Sequence, residues 1–248
     1  MIFYFSATGN SKHVVSKIKH DNEMVIAIDE AVKSKQFSYK VTDGRVGIVS
    51  PTYDFTIPSI VSDFLNTLTI EFEEKPYTFY IGTYGTTTGA AALFANQIMK
   101  EKGLSFDATF DIKMPDTWTP MFDLSDASKV KGINEKADRE IDVLIRQLNQ
   151  KVKGKHMGLT VPFLIGKIGK RMYDNNTRNT SNLSITDECV GCGLCAKKCP
   201  VQAVEMKGKK PVWVKDKCVM CLGCLHRCPK FAIEYGTKTK KHGQYIHP

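Results

Sequence analysis

The chain has 248 residues and a formal net charge of +9, with 42% hydrophobic and 25% charged residues. This is the composition of a globular protein, and the length suffices for a full α/β domain followed by a second, smaller domain. No apolar run approaches the roughly 18 residues of a membrane span, so we expect no transmembrane segment.

The charge is divided unequally along the chain. Residues 1–150 contain 16 lysines and arginines against 20 acidic residues, a net −4, whereas residues 151–248 contain 19 against 6, a net +13. The basic half is either a surface for an acidic protein partner or a solvated lysine-rich surface that offsets negative charge within that half. Nucleic acid is disfavoured as a partner, because the lysines are not interleaved with aromatic residues and no nucleic-acid-binding motif is present.

The N-terminal segment predicts a strand followed by a phosphate-binding turn. An apolar run, Met1–Phe5, leads into the Ser- and Gly-containing sequence Ser6–Ser11, and a helix is expected from there to about Lys19. Backbone N–H groups at such a helix start bind phosphate, although the same residue types also form ordinary helix caps. The hydroxyls of Ser6, Thr8 and Ser11 are the candidate phosphate donors, and Gly9 permits a close approach of the phosphate. The turn lacks the lysine of an ATP-binding P-loop and the glycine spacing of a dinucleotide-binding Rossmann motif.

Apolar strands then alternate with helical patterns. Strands are expected near 23–28, 45–50, 77–83 and 106–114, and helices near 58–69, 87–102 and 127–151. Five strands interleaved with helices predict a doubly wound parallel sheet of the α/β class. Ligands of such sheets bind at the carboxyl ends of the strands, which here carry two further polar loops, Ser50–Asp54 and Thr83–Gly89.

The three loops resemble those of the flavodoxins, whose phosphate loop has the pattern Ser-x-Thr-Gly-Asn-Ser and whose two later loops sandwich the isoalloxazine ring of FMN. The resemblance implies a flavodoxin-like five-stranded parallel sheet of order 2-1-3-4-5. It also implies that the phosphate of FMN is held by Ser6, Thr8, Gly9, Asn10 and Ser11, and that the rest of the cofactor is bound by Pro51, Thr52, Tyr53, Asp54, Thr83, Tyr84 and Gly85. Core packing is the alternative role for the two tyrosines, and Trp118 either caps the flavin or is buried under a loop. The sequence departs from the family at Asp54-Phe55, where flavodoxins often have glycine.

Residues 153–183 are expected to form a basic linker. The stretch from Gly158 to Arg171 combines apolar and basic residues, and it either packs between the two domains or lies on a membrane surface as a short amphipathic helix. It is too short to span a bilayer. The polar residues Asn175–Asn182 predict a loop.

All eight cysteines lie between residues 189 and 228, in two runs of the pattern C-x2-C-x2-C-x3-C-P. Disulfides would require a secreted chain, and the N-terminal strand and glycine turn have no signal-peptide pattern. A zinc ribbon uses two C-x2-C pairs across a longer gap and leaves the third cysteine of each run unexplained. The spacing therefore favours iron–sulfur ligation, and His226, within the second run, is expected to face solvent.

The segment from about Ser184 to Gly236 resembles the bacterial dicluster ferredoxins. The resemblance implies two [4Fe-4S] clusters with crossed ligands, each bound by the first three cysteines of one run and the last cysteine of the other. One cluster is accordingly assigned to Cys189, Cys192, Cys195 and Cys228, and the other to Cys218, Cys221, Cys224 and Cys199. Val204–Met206 and Val212–Val214 are expected to form a β-hairpin around Lys207–Lys209.

Together the two halves resemble the fused flavodoxin–ferredoxin proteins of anaerobic bacteria. The expected organisation is a flavodoxin-like FMN-binding domain over 1–152, the linker over 153–183, and a small α+β dicluster ferredoxin domain with a C-terminal tail over 184–248. The resemblance implies a cytoplasmic electron-transfer protein that relays low-potential electrons between the two clusters and FMN, and on to redox partner proteins with an acidic docking surface. A flavin-dependent reductase of a small substrate is the alternative, and a redox sensor is a third.

Overall fold

The computed structural model describes residues 1–42 and 44–248. The strands are β1 (Ile2–Tyr4), β2 (Val25–Ala27), β3 (Ser38–Lys40), β4 (Arg45–Pro51), β5 (Thr69–Glu71), β6 (Tyr77–Tyr84), β7 (Ala108–Lys113), β8 (Gly154–His156), β9 (Leu183–Ile185), β10 (Val204–Lys207), β11 (Lys210–Trp213) and β12 (Ile233–Tyr235). The helices are α1 (Asn10–Ile18), α2 (Ile28–Ser34), α3 (Ser59–Thr67), α4 (Ala91–Glu101), α5 (Ala127–Asn149), α6 (Phe163–Met172), α7 (Leu194–Lys197), α8 (Gly223–His226) and α9 (Thr239–His242). A π-helical turn (Tyr173–Thr177) and a 3-10 turn (Thr180–Asn182) follow α6.

The main sheet is parallel throughout, with the order β2-β1-β4-β6-β7-β8 among the described residues. The first five of these strands follow the predicted order 2-1-3-4-5. The predicted count of five is one too few, because β8 adds a sixth strand at the β7 edge, inside the segment expected to be a linker. Its three residues are exposed, so no apolar run marks it in the sequence. The sequence prediction also missed α2 and the small parallel pair of β3 and β5.

Helices cover both faces of the main sheet. Phe3 and Tyr80 point to the face covered by α3 and α4, where Phe64 joins them in the core. The opposite face is covered by α1 and α5, and its core includes Ile2 and Leu144. Neighbouring residues of β1 therefore enter different cores, because successive side chains of a strand point to opposite faces. This double winding confirms the predicted α/β architecture.

The segment after β8 is largely helical, so the loop predicted at Asn175–Asn182 is wrong. Helix α6 packs against the N-terminal domain through two glycines. A β-carbon on Gly166 would lie 2.4 Å from Cβ of Ala90, and one on Gly169 would lie 2.5 Å from the carbonyl oxygen of Asp54. Only glycine permits this close approach. The outer side of the helix exposes aliphatic side chains such as Leu164, and no helix in the described ranges is long and apolar enough to cross a bilayer.

The cysteine-rich C-terminal domain is built around a pseudo-twofold repeat. Strands β9 and β12 pair antiparallel, and β10 and β11 form the predicted hairpin with Gly208 and Lys209 in its turn. The short helices α7 and α8 start at equivalent places in the two cysteine runs. A small core that includes Leu225 and Ile233 holds the repeat together.

Candidate functional site

A cavity of about 350 Å³ opens where β1, β4, β6 and β7 end at their carboxyl edge. Eleven of the twelve predicted flavin-site residues line it: Ser6, Thr8, Asn10, Ser11, Pro51, Thr52, Tyr53, Asp54, Thr83, Tyr84 and Gly85. The opposite wall comes from later in the chain, from Tyr173, Thr177 and the segment Met220–Leu222. The cavity therefore lies between the parallel sheet and the second cysteine run.

The predicted phosphate loop joins β1 to α1. The hydroxyl oxygens of Ser11 and Thr83 lie 2.8 Å apart, which ties this loop to the end of β6. The side-chain amide of Asn10 already has two hydrogen-bond partners outside the loop. It donates to the carbonyl oxygen of Pro115 at 3.2 Å and accepts from the Tyr245 hydroxyl at 2.9 Å. Ser6 and Thr8, the first two hydroxyl-bearing residues of the loop, line the cavity, next to the N-terminus of the nine-residue helix α1.

Gly9 is the one predicted flavin-site residue outside the cavity lining. It caps α1 with a left-handed backbone, φ 103°. A β-carbon there would lie 2.8 Å from Cβ of His247, so the open side of Gly9 faces the C-terminal tail. Glycine is required at this position because of its φ and the close approach of the tail.

The two loops that carry Tyr53 and Tyr84 supply further walls of the flavodoxin cavity. Burial raises the pKa of Tyr53 well above its usual value and also raises that of Tyr84, so both phenols keep their protons at neutral pH. Between Tyr53 and Thr56, paired backbone hydrogen bonds of 2.8 Å close a two-residue turn. Asp54 and Phe55, which occupy this turn where flavodoxins often have glycine, adopt left-handed φ values of 43° and 66°. The Thr177 hydroxyl donates to the Asp54 carboxylate and holds the turn in place.

The eight cysteines surround two smaller cavities, and none is in a disulfide. Cys189, Cys192, Cys195 and Cys228 line the first cysteine cavity, and Cys218, Cys221, Cys224 and Cys199 line the second. Each cavity therefore takes three cysteines from one run and the last cysteine of the other. Within residues 1–42 and 44–248, no three or more His, Cys, Asp or Glu side chains are close enough together to coordinate a single metal ion.

Comparison with known families identifies both halves of the chain. A family model for a flavodoxin domain matches residues 1–143, which is more than half of the sequence. The chain belongs to the flavodoxin family. A second model, for a 4Fe-4S dicluster domain, matches residues 182–229, so a flavodoxin domain is followed by a dicluster domain in one chain. This fused architecture indicates electron transfer that involves a flavin and iron–sulfur groups.

Three solved structures are similar to the chain at low sequence identity. The rubredoxin:oxygen oxidoreductase of Desulfovibrio gigas has 15% identity and a TM-score of 0.35, over 57% of this chain and 35% of that one. An azoreductase of Bacillus anthracis has 9% identity and a TM-score of 0.36, over 59% of this chain and 98% of the other. A flavone reductase has 10% identity and a TM-score of 0.35, over 86% and 81%. A search of curated proteins returned no match.

Backbone amides of the dicluster domain point at cysteine sulfurs in a symmetric way. Ala203 N donates to Cys199 Sγ at 3.2 Å, and Ala232 N donates to Cys228 Sγ at 3.3 Å, each four residues beyond the sulfur. Burial raises the pKa of Cys221 in the second run to about 12. A metal group bound by such a buried thiol would have to displace its proton.

The C-terminal tail joins the dicluster domain to the flavodoxin phosphate loop. Gln244 donates to the carbonyl oxygens of Leu225 and Cys228 at 2.6 and 2.9 Å. Tyr245 is buried with its hydroxyl on Asn10, and His247 N donates to the Thr8 carbonyl oxygen at 2.8 Å. The tail thus spans the two domains beside the flavodoxin cavity.

His226 is buried at the domain boundary, and the prediction that it faces solvent is wrong. Its Nε2 lies 2.8 Å from the Thr117 carbonyl oxygen, and its Nδ1 lies 3.2 Å from Tyr245 N. Burial lowers the pKa of His226 to about 4, so the ring is neutral at pH 7 and donates from Nε2 while it accepts at Nδ1. The ring links the flavodoxin loop after β7 to the tail.

The loop after β7 supplies further cavity residues: Trp118, for which a flavin cap was one of two predicted roles, and Asp116, which the sequence prediction missed. Trp118 lines the cavity and stacks edge-on against Tyr235 of the dicluster domain, with ring centroids 5.1 Å apart. Asp116 accepts from the Thr86 hydroxyl at 2.9 Å and from Trp118 N at 3.1 Å. Burial raises the pKa of Asp116 above its usual range despite these bonds. The proline-containing sequence after a predicted strand was the available signal for this loop.

Proposed function

We propose that this protein is an electron carrier that relays single electrons between two [4Fe-4S] clusters and one FMN, and exchanges them with redox partner proteins. The observation that carries the proposal is a shared wall. Met220, Cys221 and Leu222 line both the flavodoxin cavity and the second cysteine cavity. A flavin in the flavodoxin cavity and a cluster in the second cysteine cavity would both border this segment.

The cluster ligands follow from the two cysteine cavities. Cys189, Cys192, Cys195 and Cys228 would hold the first cluster, and Cys218, Cys221, Cys224 and Cys199 the second. Thiolates at this spacing fit cubane clusters whose fourth ligand comes from the other run. Because each cysteine run contributes ligands to both cluster sites, the two runs would fold as one unit.

The flavodoxin cavity supplies the groups that FMN requires. The N-terminus of α1 and the hydroxyls of Ser6 and Thr8 provide hydrogen-bond donors and a favourable dipole for the phosphate. Tyr53 and Tyr84, both with protonated phenols, provide aromatic surfaces for contact with the flavin ring. When bound, FMN would accept one or two electrons, whereas each cluster carries one.

The first cysteine cavity is the candidate entrance for electrons. Cys192 is the exposed cysteine among its ligands, and the neighbouring Val190 is 59% exposed. The β10–β11 hairpin borders this cavity through Met206 and Pro211, and its turn carries the exposed residues Lys207, Lys209 and Lys210. A partner with an acidic surface would be attracted to this end of the molecule. The route would then run from the partner to the first cluster, the second cluster and FMN.

Replacement of Lys207, Lys209 and Lys210 by glutamate should slow electron uptake from an acidic reduced ferredoxin about tenfold at low salt, because the change inverts the local potential. Stopped-flow absorbance of the anaerobic holoprotein measures the rate. At about 1 M salt, where the Debye length is about 3 Å, the variant and the native protein should converge.

The matched control replaces three other lysines by glutamate. They are exposed on α5 of the flavodoxin domain: Lys129, Lys131 and Lys136. This variant has the same net charge as the hairpin variant. Equal slowing in the two variants would show that net charge, rather than the hairpin, sets the rate, and would contradict the proposed entrance.

A reductase of a small substrate is the second candidate, favoured by Asp116. Its carboxyl group lies in the cavity wall with a raised pKa, so it holds a proton at higher pH than an ordinary aspartate. A reductase would turn over a small acceptor without a partner protein, at a rate insensitive to salt. A carrier requires the partner, and its uptake rate falls as salt rises.

A further inference from the structure

The two cysteine runs share one backbone conformation but differ in the residues that adopt it. In the first run, Gly191 and Gly193 both have φ of 73°. The equivalent residues of the second run, Met220 and Leu222, have φ of 51°. Left-handed backbone costs free energy for every residue except glycine, since the β-carbon approaches the carbonyl oxygen. The second run therefore retains two unfavourable residues where the first run uses glycine.

The side chains of these two residues account for the difference. Met220 is 3% exposed and Leu222 is 2% exposed, and both lie between the flavodoxin cavity and the second cysteine cavity. In the first run, a β-carbon on Gly191 would lie 2.7 Å from the Lys209 carbonyl oxygen, in the hairpin and away from the flavodoxin domain. At these two positions the repeat is symmetric in backbone and asymmetric in side chains, and there the second run meets the flavodoxin cavity. Strained backbone of this kind concentrates at functional sites.

We propose that Met220 and Leu222 are positioning residues that bind the flavin ring and hold it against the loop of the second cluster. The inference rests on the proposed FMN site and adds a specific role for the dicluster domain in it. A methionine thioether and a leucine side chain suit the planar aromatic face of a flavin, because sulfur–aromatic and apolar contacts are both favourable there. The same side chains exclude water from the space between the two redox groups, which strengthens electrostatic coupling across it.

The test uses the glycines of the first run as the template. The double variant Met220→Gly and Leu222→Gly removes both side chains and relieves the left-handed strain, so a loss of flavin would not arise from backbone destabilisation. We expect the FMN dissociation constant of the anaerobic holoprotein to rise at least about tenfold, from the lost apolar contact area. The midpoint potential of the FMN should shift, and its reduction through the clusters should slow by at least about tenfold. Iron content and cluster EPR signals should be unchanged.

Two further variants separate the proposed role from a structural one. Gln202→Gly also relieves left-handed backbone, φ 51°, three residues beyond the ligand Cys199. Its side chain is exposed and outside the flavodoxin cavity lining, so this variant should leave FMN affinity unchanged. Met220→Leu keeps an apolar side chain of similar volume and should retain tight binding. If the glycine variant loses iron, single Met220→Ala and Leu222→Ala variants take its place with the same measurements.

The outcomes distinguish this inference from the proposed function. Native affinity, potential and reduction rate in the double variant would overturn the positioning role while the FMN–cluster relay stands. A native protein that binds no FMN would overturn both. Loss of FMN affinity in Gln202→Gly to the same degree would also overturn the inference, because the effect would then follow any relaxation of the cysteine loops.

Discussion

Cys199→Ser is expected to abolish the cluster of the second cysteine cavity and to spare the first, although Cys199 belongs to the first cysteine run. The reason is geometric, because Cys199 lines the cavity of Cys218, Cys221 and Cys224. Iron should fall from about eight to about four per chain, as one of two four-iron cubanes is lost. EPR of the reduced protein identifies which cluster remains.

Cys195→Ser is the matched control for that experiment. Cys195 lies four residues before Cys199 in the same run but lines the first cysteine cavity, so its loss should remove the other cluster. Cys228→Ser should give the same spectrum as Cys195→Ser, since both sulfurs line one cavity. If Cys195→Ser and Cys199→Ser disturbed the same cluster, the crossed ligand sets would be wrong.

Ser6→Asp is expected to release FMN from the holoprotein while both clusters remain. Ser6 lines the cavity in the loop before α1, and a carboxylate there would face the phosphate dianion. Two unit charges about 4 Å apart repel by about 4 kcal/mol at an effective dielectric constant of about 20. This corresponds to roughly a thousandfold weaker binding, which anaerobic titration with FMN fluorescence measures.

Ser16→Asp provides the control for the phosphate loop. Ser16 is exposed on α1, bonded to the His13 carbonyl oxygen, and lies outside the cavity lining. Ser16→Asp introduces the same charge on the helix that follows the phosphate loop, so its FMN affinity should stay within about threefold of the native value, as expected for a screened surface charge. Equal losses in both variants would place the phosphate elsewhere.

Much of the flavodoxin fold was predictable because its strands are fully buried. Val46, Ile48 and Val49 are 0% exposed, and such strands appear in the sequence as continuous apolar runs. Strand β8 is held instead by backbone pairing to β7 and by its exposed His156, which stacks on Phe110 with ring centroids 5.1 Å apart. Because its residues are exposed, no apolar run distinguishes this edge strand from the predicted linker.

The part of the candidate site built from the flavodoxin strand ends was predictable, and the part contributed by later segments of the chain was not. Loops at the carboxyl ends of parallel strands meet by topology, so the sequence places Thr8, Tyr53 and Tyr84 together. Tyr173 and Met220 reach the cavity through packing between domains, which no local pattern encodes. His226 illustrates the same limit, since its burial depends on residues more than 100 positions away in sequence as well as on the tail.

The C-terminal tail has a consequence for motion between the domains. The chain leaves the flavodoxin domain through α6, whose Gly169 contacts the Asp54 turn, and returns through the tail, whose His247 bonds to Thr8. A hinge needs one side of an interface to open, and here the Asp54 turn is held by Gly169 and Thr177 while the phosphate loop is held by the tail. The domains therefore cannot swing apart around a bound flavin without breaking one attachment. Electron transfer between the second cluster and FMN would occur at one fixed separation, and we expect its rate to be independent of solvent viscosity in flash-photolysis measurements.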